Sequence, residues 1–308
     1  MSEESRGTVL AALAANSAIT VGKLVAGLVT GSAALLAEAG HSAADTVNQV
    51  FLLVGLNLSG GKPDAKHPHG YGKEAFFWSF LAAIFIFVAG AAFSFYEGIR
   101  TLVQHQEHHR STFELGLAFG VLGMAFLFEA FSWMVAVRGL LAGARRKNWS
   151  LRKFMRQSPD LTLKTVFWED SAALTGLVLA ASGLALSEVT GNETWDGVAS
   201  MAIGIVLTLV AIVLGLQARD LLLGAAADDE TQAEIAATVN AFPEVDGIVR
   251  LLTMQLGSHS ILVNGEIRVR RSLQTADLED LMKRIDAQLA TNVPSVVDTI
   301  WELHPGAS

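Results

Sequence analysis

At 308 residues the chain has room for one large or two modest domains, and 51% hydrophobic against 17% charged residues sets it apart from an ordinary soluble protein. A formal net charge of −8 argues against nucleic acid as a partner, because phosphate binding wants a clustered excess of Lys and Arg on one face. The absence of cysteine excludes both a disulfide framework and a thiolate metal site.

In chain order, Met1 to Arg6 carries two glutamates and one arginine, unlike an Arg-rich transit peptide. The apolar segment that follows is too long for a signal-peptide core, so it reads as a retained first membrane helix. A hydrocarbon core of about 30 Å needs roughly 20 predominantly apolar residues per helix. Six stretches qualify: Thr8–Val29, Ser32–Leu58, Ala75–Arg100, Phe113–Leu141, Leu161–Ser187 and Thr194–Leu216. Thr30-Gly31-Ser32, Gly60-Gly61-Lys62-Pro63 and Gly191-Asn192-Glu193 supply turn chemistry between them. Gly22, Gly27 and Gly31 in the first span, and Gly176 with Gly183 in the fifth, predict close helix approach.

An even number of spans puts both termini on one side. Lys62, Lys66 and Lys73 fall between spans two and three, and Arg145, Arg146, Lys147, Arg152, Lys153 and Arg156 between four and five. The opposite side has little beyond Arg100 and Arg110. The basic loops and both termini are therefore expected in the cytoplasm, with the chain multi-pass in the cell (inner) membrane. The basic run reads as a topology determinant beside anionic headgroups rather than as a regulatory lipid or nucleotide site.

After Asp220 the periodicity changes. An amphipathic helix (Asp228–Ala241), two alternating stretches (Val245–Leu256 and Ser260–Arg270), a second helix (Thr275–Ala290) and a final strand (Val296–His304) give an αββαβ order. The division is thus a transmembrane domain of residues 1–219 and a soluble domain of residues 220–308.

Ionisable groups in hydrocarbon are costly enough that each is a functional hypothesis. Glu38, His41 and Asp45 share one face of the second span, at i, i+3 and i+7, and His41 and Asp45 lie one turn apart. The fifth span carries adjacent Glu169 and Asp170, the first Asn16, and the fourth Glu129. At about 1.5 Å per residue, His41 and Asp170 each sit roughly 14 Å from the nearer end of their helices, close to the midplane. An imidazole with carboxylates suits a borderline cation such as Zn²⁺, whereas soft copper(I) would want sulfur. For His41, Asp45 and Asp170 a metal site is the preferred reading over helix-joining hydrogen bonds. For Glu38, Glu129 and Asn16 the two readings stay open.

These features together resemble the cation diffusion facilitator family of proton-coupled metal transporters. The resemblance rests on His41-Ser42-Ala43-Ala44-Asp45, the His67-Pro68-His69-Gly70-Tyr71-Gly72-Lys73-Glu74 loop, the acidic pair of the fifth span and the small C-terminal domain. Glu38-Ala39-Gly40-His41 through Asp45-Thr46-Val47-Asn48-Gln49, with Glu169-Asp170-Ser171-Ala172-Ala173, is most similar to the branch that includes the mitochondrial zinc transporter of animals. The resemblance implies six transmembrane helices, a ferredoxin-like α+β cytoplasmic domain, a homodimer, and four metal ligands from two pairs spaced four apart. His41 and Asp45 match the first pair and Asp170 the last position, but Val166 stands where the fourth ligand belongs. Glu169 is the nearest substitute, and Glu38 or Asn16 the others. The departure leaves selectivity among Zn²⁺, Mn²⁺, Co²⁺, Fe²⁺ and Cd²⁺ open.

The resemblance further implies a loop metal site at His67 and His69, which Tyr71 weakens because the family often has histidine there. A plain surface loop is the competing reading. In the C-terminal domain only His259, Glu302 and His304 are candidate ligands, so a dimerising scaffold is expected rather than a metal sensor. The implied activity is export of metal from the cytoplasm by alternating access, with protons moving the opposite way because ligands must be deprotonated to bind. No resident cofactor is expected. The rivals are a passive cation channel, disfavoured because channels show rings or backbone filters, and an intramembrane metal-dependent enzyme, disfavoured because no His-Glu-x-x-His signature is present.

Overall fold

The computed structural model describes the backbone of residues 3–104, 110–158 and 161–305, and the side chains of 16–104, 110–158 and 163–304. Met1 and Ser2 of the N-terminal stretch, and the side chains of the first part of the first span, lie outside the described residues. The chain divides into two compact units. One comprises residues 1–54, 78–156 and 160–217; the other comprises residues 55–77, 157–159 and 218–308.

Long helices dominate the first unit: α1 (Glu3–Thr30), α2 (Ala33–Ser59), α3 (Glu74–Phe85), a π-helical segment (Ile86–Ala92), α4 (Phe93–Gln104), α5 (Thr112–Arg146), the short α6 (Leu151–Gln157), α7 (Leu161–Thr190) and α8 (Thr194–Leu223). α3, the π segment and α4 form one unbroken rod, Glu74–Gln104. Among the described residues four of these, Glu74–Gln104, α5, α7 from Leu163 and α8, are long and apolar enough to cross a membrane, which leaves the expected six spans unconfirmed. Their polarity is arranged the opposite way from a soluble protein. Leu127, Phe131, Met124 and Val178 project outward, while Lys23, Glu38, His41, Asn48, Glu169 and Asp170 are buried. Large apolar side chains in continuous outward bands call for lipid.

Small residues let the helices approach. The core combines Ala26, Ala34, Ala37, Ala44, Ala91 and Ala180 with Leu35, Ile86, Leu184, Ile203 and Leu207. α5 packs against both α7 and α1. Gly183 is required by packing, since a Cβ there would stand 2.4 Å from the Ala199 methyl. Gly22 is not, its nearest neighbour being at 3.9 Å, so the expectation of close approach fails there.

Capping fixes where helices begin. The Ser32 hydroxyl accepts from Leu35 N at 3.2 Å and donates to Asp196 at 2.7 Å. Asp196 also accepts from Ala33 N, so the start of α2 is held by the first turn of α8. Ser111 and Glu114 form a capping box on α5. The basic run is more ordered than a loop: Phe154 of α6 is buried beside Gly143, and Lys147 and Lys153 sit 4.5 and 4.4 Å from the Trp149 ring centroid.

The second unit is built on α9 (Asp229–Asn240), β1 (Val245–Gly257), β2 (Ser260–Val269), α10 (Thr275–Asn292) and β3 (Val296–Pro305), in the expected αββαβ order. The sheet order is β1-β2-β3, with β1 and β2 antiparallel and β2 and β3 parallel. Parallel pairing requires a crossover, which α10 supplies. Alternation along β2 sends Ile261, Val263 and Ile267 into a core completed by Ile235, Val239, Leu281, Ile285 and Leu289 of the two helices.

Candidate metal site

α2 presents Glu38, His41, Asp45 and Asn48 along one stripe. His41 is buried, its Nε2 is 3.5 Å from Asp45 Oδ2, and neither ring nitrogen has a hydrogen-bond partner. Asp45 Oδ1 is likewise buried and unpartnered. Across the bundle, α7 contributes Glu169 and Asp170, both buried. Glu169 accepts a hydrogen bond from the Asn48 amide, which joins α7 to α2. Asp170 lies beside Ser132 of α5 and leaves Oδ2 unpartnered. The carboxyl groups of Glu169, Glu129 and Asp170 all lie within electrostatic range of Asp45.

The π segment adds a constraint that periodicity alone did not reveal. A Cβ on Gly40 would stand 2.7 Å from the Phe93 ring at the end of that segment. The turn that carries His41 is therefore pressed against the irregular part of the third rod, a type of distortion that recurs at functional sites.

The structure brings His41 and Asp45 together and sets the carboxylates of α7 within electrostatic range of them. Among the described residues, however, no group of three or more His, Asp and Glu side chains stands close enough to hold one ion. Glu38 is drawn elsewhere: its Oε2 is 3.0 Å from Nζ of fully buried Lys23, which also donates to Ser42 Oγ at 2.7 Å. Lys23 escaped the sequence reading, although a lone cation inside an apolar stretch was a usable signal. Asn48 did too, although it lies three residues beyond Asp45 on the same face. Asn16 is half-buried, and Glu129 is half-buried with its charge acting on Asp45. Val166 is half-buried and brings no ligand atom.

The loop histidines face separate partners. Asp64 organises this loop, accepting from Lys66 N at 2.9 Å, His67 N at 2.7 Å and Tyr71 OH at 2.7 Å. The His67 amide and the Tyr71 hydroxyl hold the Asp64 carboxyl below the usual aspartate range. His67 lies against the Tyr71 ring, whereas His69 Nδ1 is 3.0 Å from Asp298 Oδ2 of β3. Tyr71 is thus a structural donor to Asp64 where the family pattern would place a third imidazole.

The C-terminal candidates do not converge. Ile261 pairs with Val296 and Arg268 with His304. At about 3.3 Å per residue, His304 lies roughly 25 Å along the sheet from the β1–β2 turn that holds His259. His259 therefore cannot share an ion with Glu302 and His304, because one-dimensional spacing hides the strand register. His304 instead approaches Glu266 at 3.6 Å.

The sequence profile of the cation efflux transmembrane domain matches residues 9–223. The chain belongs to the cation efflux family. Among relatives of this cation efflux protein, Arabidopsis thaliana metal tolerance protein C4 is 32% identical over 255 residues, covering 81% of this chain and 55% of that protein. The human mitochondrial proton-coupled zinc antiporter SLC30A9 is 29% identical over 302 residues, covering 96% of this chain and 52% of that one. The Klebsiella pneumoniae cation-efflux pump FieF is 28% identical over 248 residues, 80% and 76% of the two chains. The chain spans about half the length of the plant and human relatives. Membership makes it a multi-pass membrane protein, and its relatives place it with the branch that includes the mitochondrial zinc antiporters.

Proposed function

We propose that this cation efflux protein exchanges Zn²⁺ for protons by alternating access, with His41, Asp45 and Asp170 as ligands and Glu169 as the fourth. The observation that carries the reading is a set of buried, unpartnered atoms on two facing helices: both nitrogens of His41, Asp45 Oδ1 and Asp170 Oδ2. Leaving such an atom without a partner costs about 1–3 kcal/mol. A divalent ion with proton competition is a chemistry that repays it, since each donor binds metal only when deprotonated. Drawing the donors of α2 and α7 together onto the ion is then the step that binding drives, and reopening on the other side is transport.

In this reading six spans cross the inner membrane with both termini cytoplasmic, and residues 220–308 form a dimerising cytoplasmic scaffold. The outward apolar side chains Val249 and Leu252 of β1 and Val297 and Ile300 of β3 support a partner for that domain. The test is reconstitution in proteoliposomes with internal pH recorded, against Zn²⁺, Mn²⁺, Co²⁺, Fe²⁺ and Cd²⁺. Saturable Zn²⁺ flux with opposed proton movement is expected, and Asp45→Ala and Asp170→Ala are each expected to reduce it at least about 100-fold, as removal of a direct metal ligand should. Wild-type flux in either variant overturns the assignment, and unsaturable flux without proton movement overturns antiport in favour of a channel.

A further inference from the structure

Among the described residues, the most deeply buried ion pair of the helical unit lies next to the proposed metal site. Lys23 of α1 and Glu38 of α2 are both fully buried, 3.0 Å apart, and Lys23 also binds the hydroxyl of Ser42, the residue after His41. Three further observations separate this pair from structural glue. Glu38 is one turn from His41 on the same face, so its carboxylate is within reach of an ion held there. Its Oε1 has no hydrogen-bond partner and is enclosed against Gly176 of α7, where a Cβ would stand 2.0 Å from it. The Lys23 charge also acts on His41, Asp45 and Glu129. An ammonium has donors only and never ligates a cation.

We propose that Lys23 is a specificity-determining residue, a tethered cation that occupies Glu38 and so keeps an additional carboxylate out of the coordination shell. The inference rests on the metal site described under the proposed function. One imidazole with a few carboxylate oxygens in a tetrahedron suits Zn²⁺, whereas added oxygen donors and a higher coordination number move a site toward Mn²⁺. Lys23 therefore narrows the donor set without touching the ion. Removing it frees a carboxylate that is already desolvated and already unpaired at one oxygen. Removing Glu38 instead leaves the lysine charge uncompensated, which opposes every divalent ion alike.

The test compares Zn²⁺ and Mn²⁺ binding to the purified full-length protein by titration calorimetry, for wild type, Lys23→Met, Glu38→Gln, the double variant and Asp45→Ala. Lys23→Met is expected to tighten Mn²⁺ and lower the Zn²⁺-to-Mn²⁺ affinity ratio at least about tenfold. Glu38→Gln is expected to weaken both ions by similar factors of about ten, with the ratio kept. The double variant is expected to return the ratio to within about threefold of wild type. An unchanged ratio in Lys23→Met, or equal ratios in Lys23→Met and the double variant, overturns the proposal. Where Lys23→Met does not yield monodisperse protein, Glu38→Gln decides, and unchanged or tighter binding of both ions overturns it. Asp45→Ala separates the two levels: wild-type Zn²⁺ binding there removes the site itself, whereas lost binding there with an unchanged ratio in Lys23→Met removes only the role of Lys23.

Discussion

Asp196 offers a quantitative test of how the second helix is held in place. Its side chain is fully buried and accepts from the Ser32 hydroxyl at 2.7 Å and from the Ala33 amide, so one carboxylate anchors the first turn of α2. Hydrogen bonds to a charged acceptor contribute about 1.5–3 kcal/mol each. The two share one group and are not additive, so Asp196→Ala should cost about 3–4 kcal/mol. Asp196→Asn keeps one acceptor oxygen and should cost about half as much. The Ser32 hydroxyl still caps Leu35 in both variants, which keeps the loss from being larger. Unfolding in mixed detergent and SDS micelles gives the stabilities, and Zn²⁺ transport in proteoliposomes gives the functional consequence. Because His41 lies about two and a half turns into the helix that Asp196 anchors, the Zn²⁺ KM should rise together with the instability. A loss below about 0.5 kcal/mol for Asp196→Ala, or an Asn variant as damaged as the Ala one, would refute the anchoring role.

Three other outcomes follow from the geometry. Gly176→Ala sets a methyl against Glu38 Oε1; overpacking of this kind costs about 1–3 kcal/mol, measurable in the same SDS titration. Arg110, nearly fully buried, donates to Thr30 O, Glu188 and Glu193 at 2.8 to 3.0 Å; Arg110→Met strands the two glutamates, which retain some exposure, and should cost about 3 kcal/mol, with Glu193→Gln restoring part. The Asp64 carboxyl lies below its usual range because of the His67 amide and the Tyr71 hydroxyl, so its contribution is present above the unfolded aspartate value and is lost only as pH falls through the lower folded value. Protease protection of residues 60–74 should therefore persist from neutral pH into mild acid in wild type and be weak throughout in Asp64→Asn.

The C-terminal part of the fold was legible because each of its elements has one buried face. Alternation placed the strand Ser260–Arg270 within one residue of β2, and the helix Thr275–Ala290 within two of α10. Apolar windows located the long helices but cut them short: α5 runs to Arg146 and α8 to Leu223, since charged ends stay helical after leaving hydrocarbon. The short α6 was read as part of a basic loop because charge hides Phe154, its one buried anchor. At the site, the i, i+4 spacing of His41 and Asp45 carried over directly into space. What the chain could not disclose in one dimension was pairing between helices, above all Lys23 with Glu38 and Asn48 with Glu169, and strand register, which separates His259 from His304.

The departure at Val166 yields the sharpest remaining prediction. Two ligands spaced four apart on one helix point at the same ion, whereas the neighbours Glu169 and Asp170 point about 100° apart. The structure shows the consequence: Glu169 turns to Asn48 and Asp170 to Ser132. If Glu169 serves as fourth ligand, it must exchange the Asn48 amide for the ion, and that exchange costs binding energy. Val166→Asp would restore the spacing on α7 and supply a carboxylate with no partner to give up. Zn²⁺ affinity should rise about tenfold, the equivalent of about 1.4 kcal/mol, and Glu169→Gln, damaging in the wild-type background, should become nearly neutral in the Val166→Asp one. A Val166→Asp protein that folds, binds Zn²⁺ no more tightly and still depends on Glu169 would show that α7 does not face the His41–Asp45 pair across a shared ion.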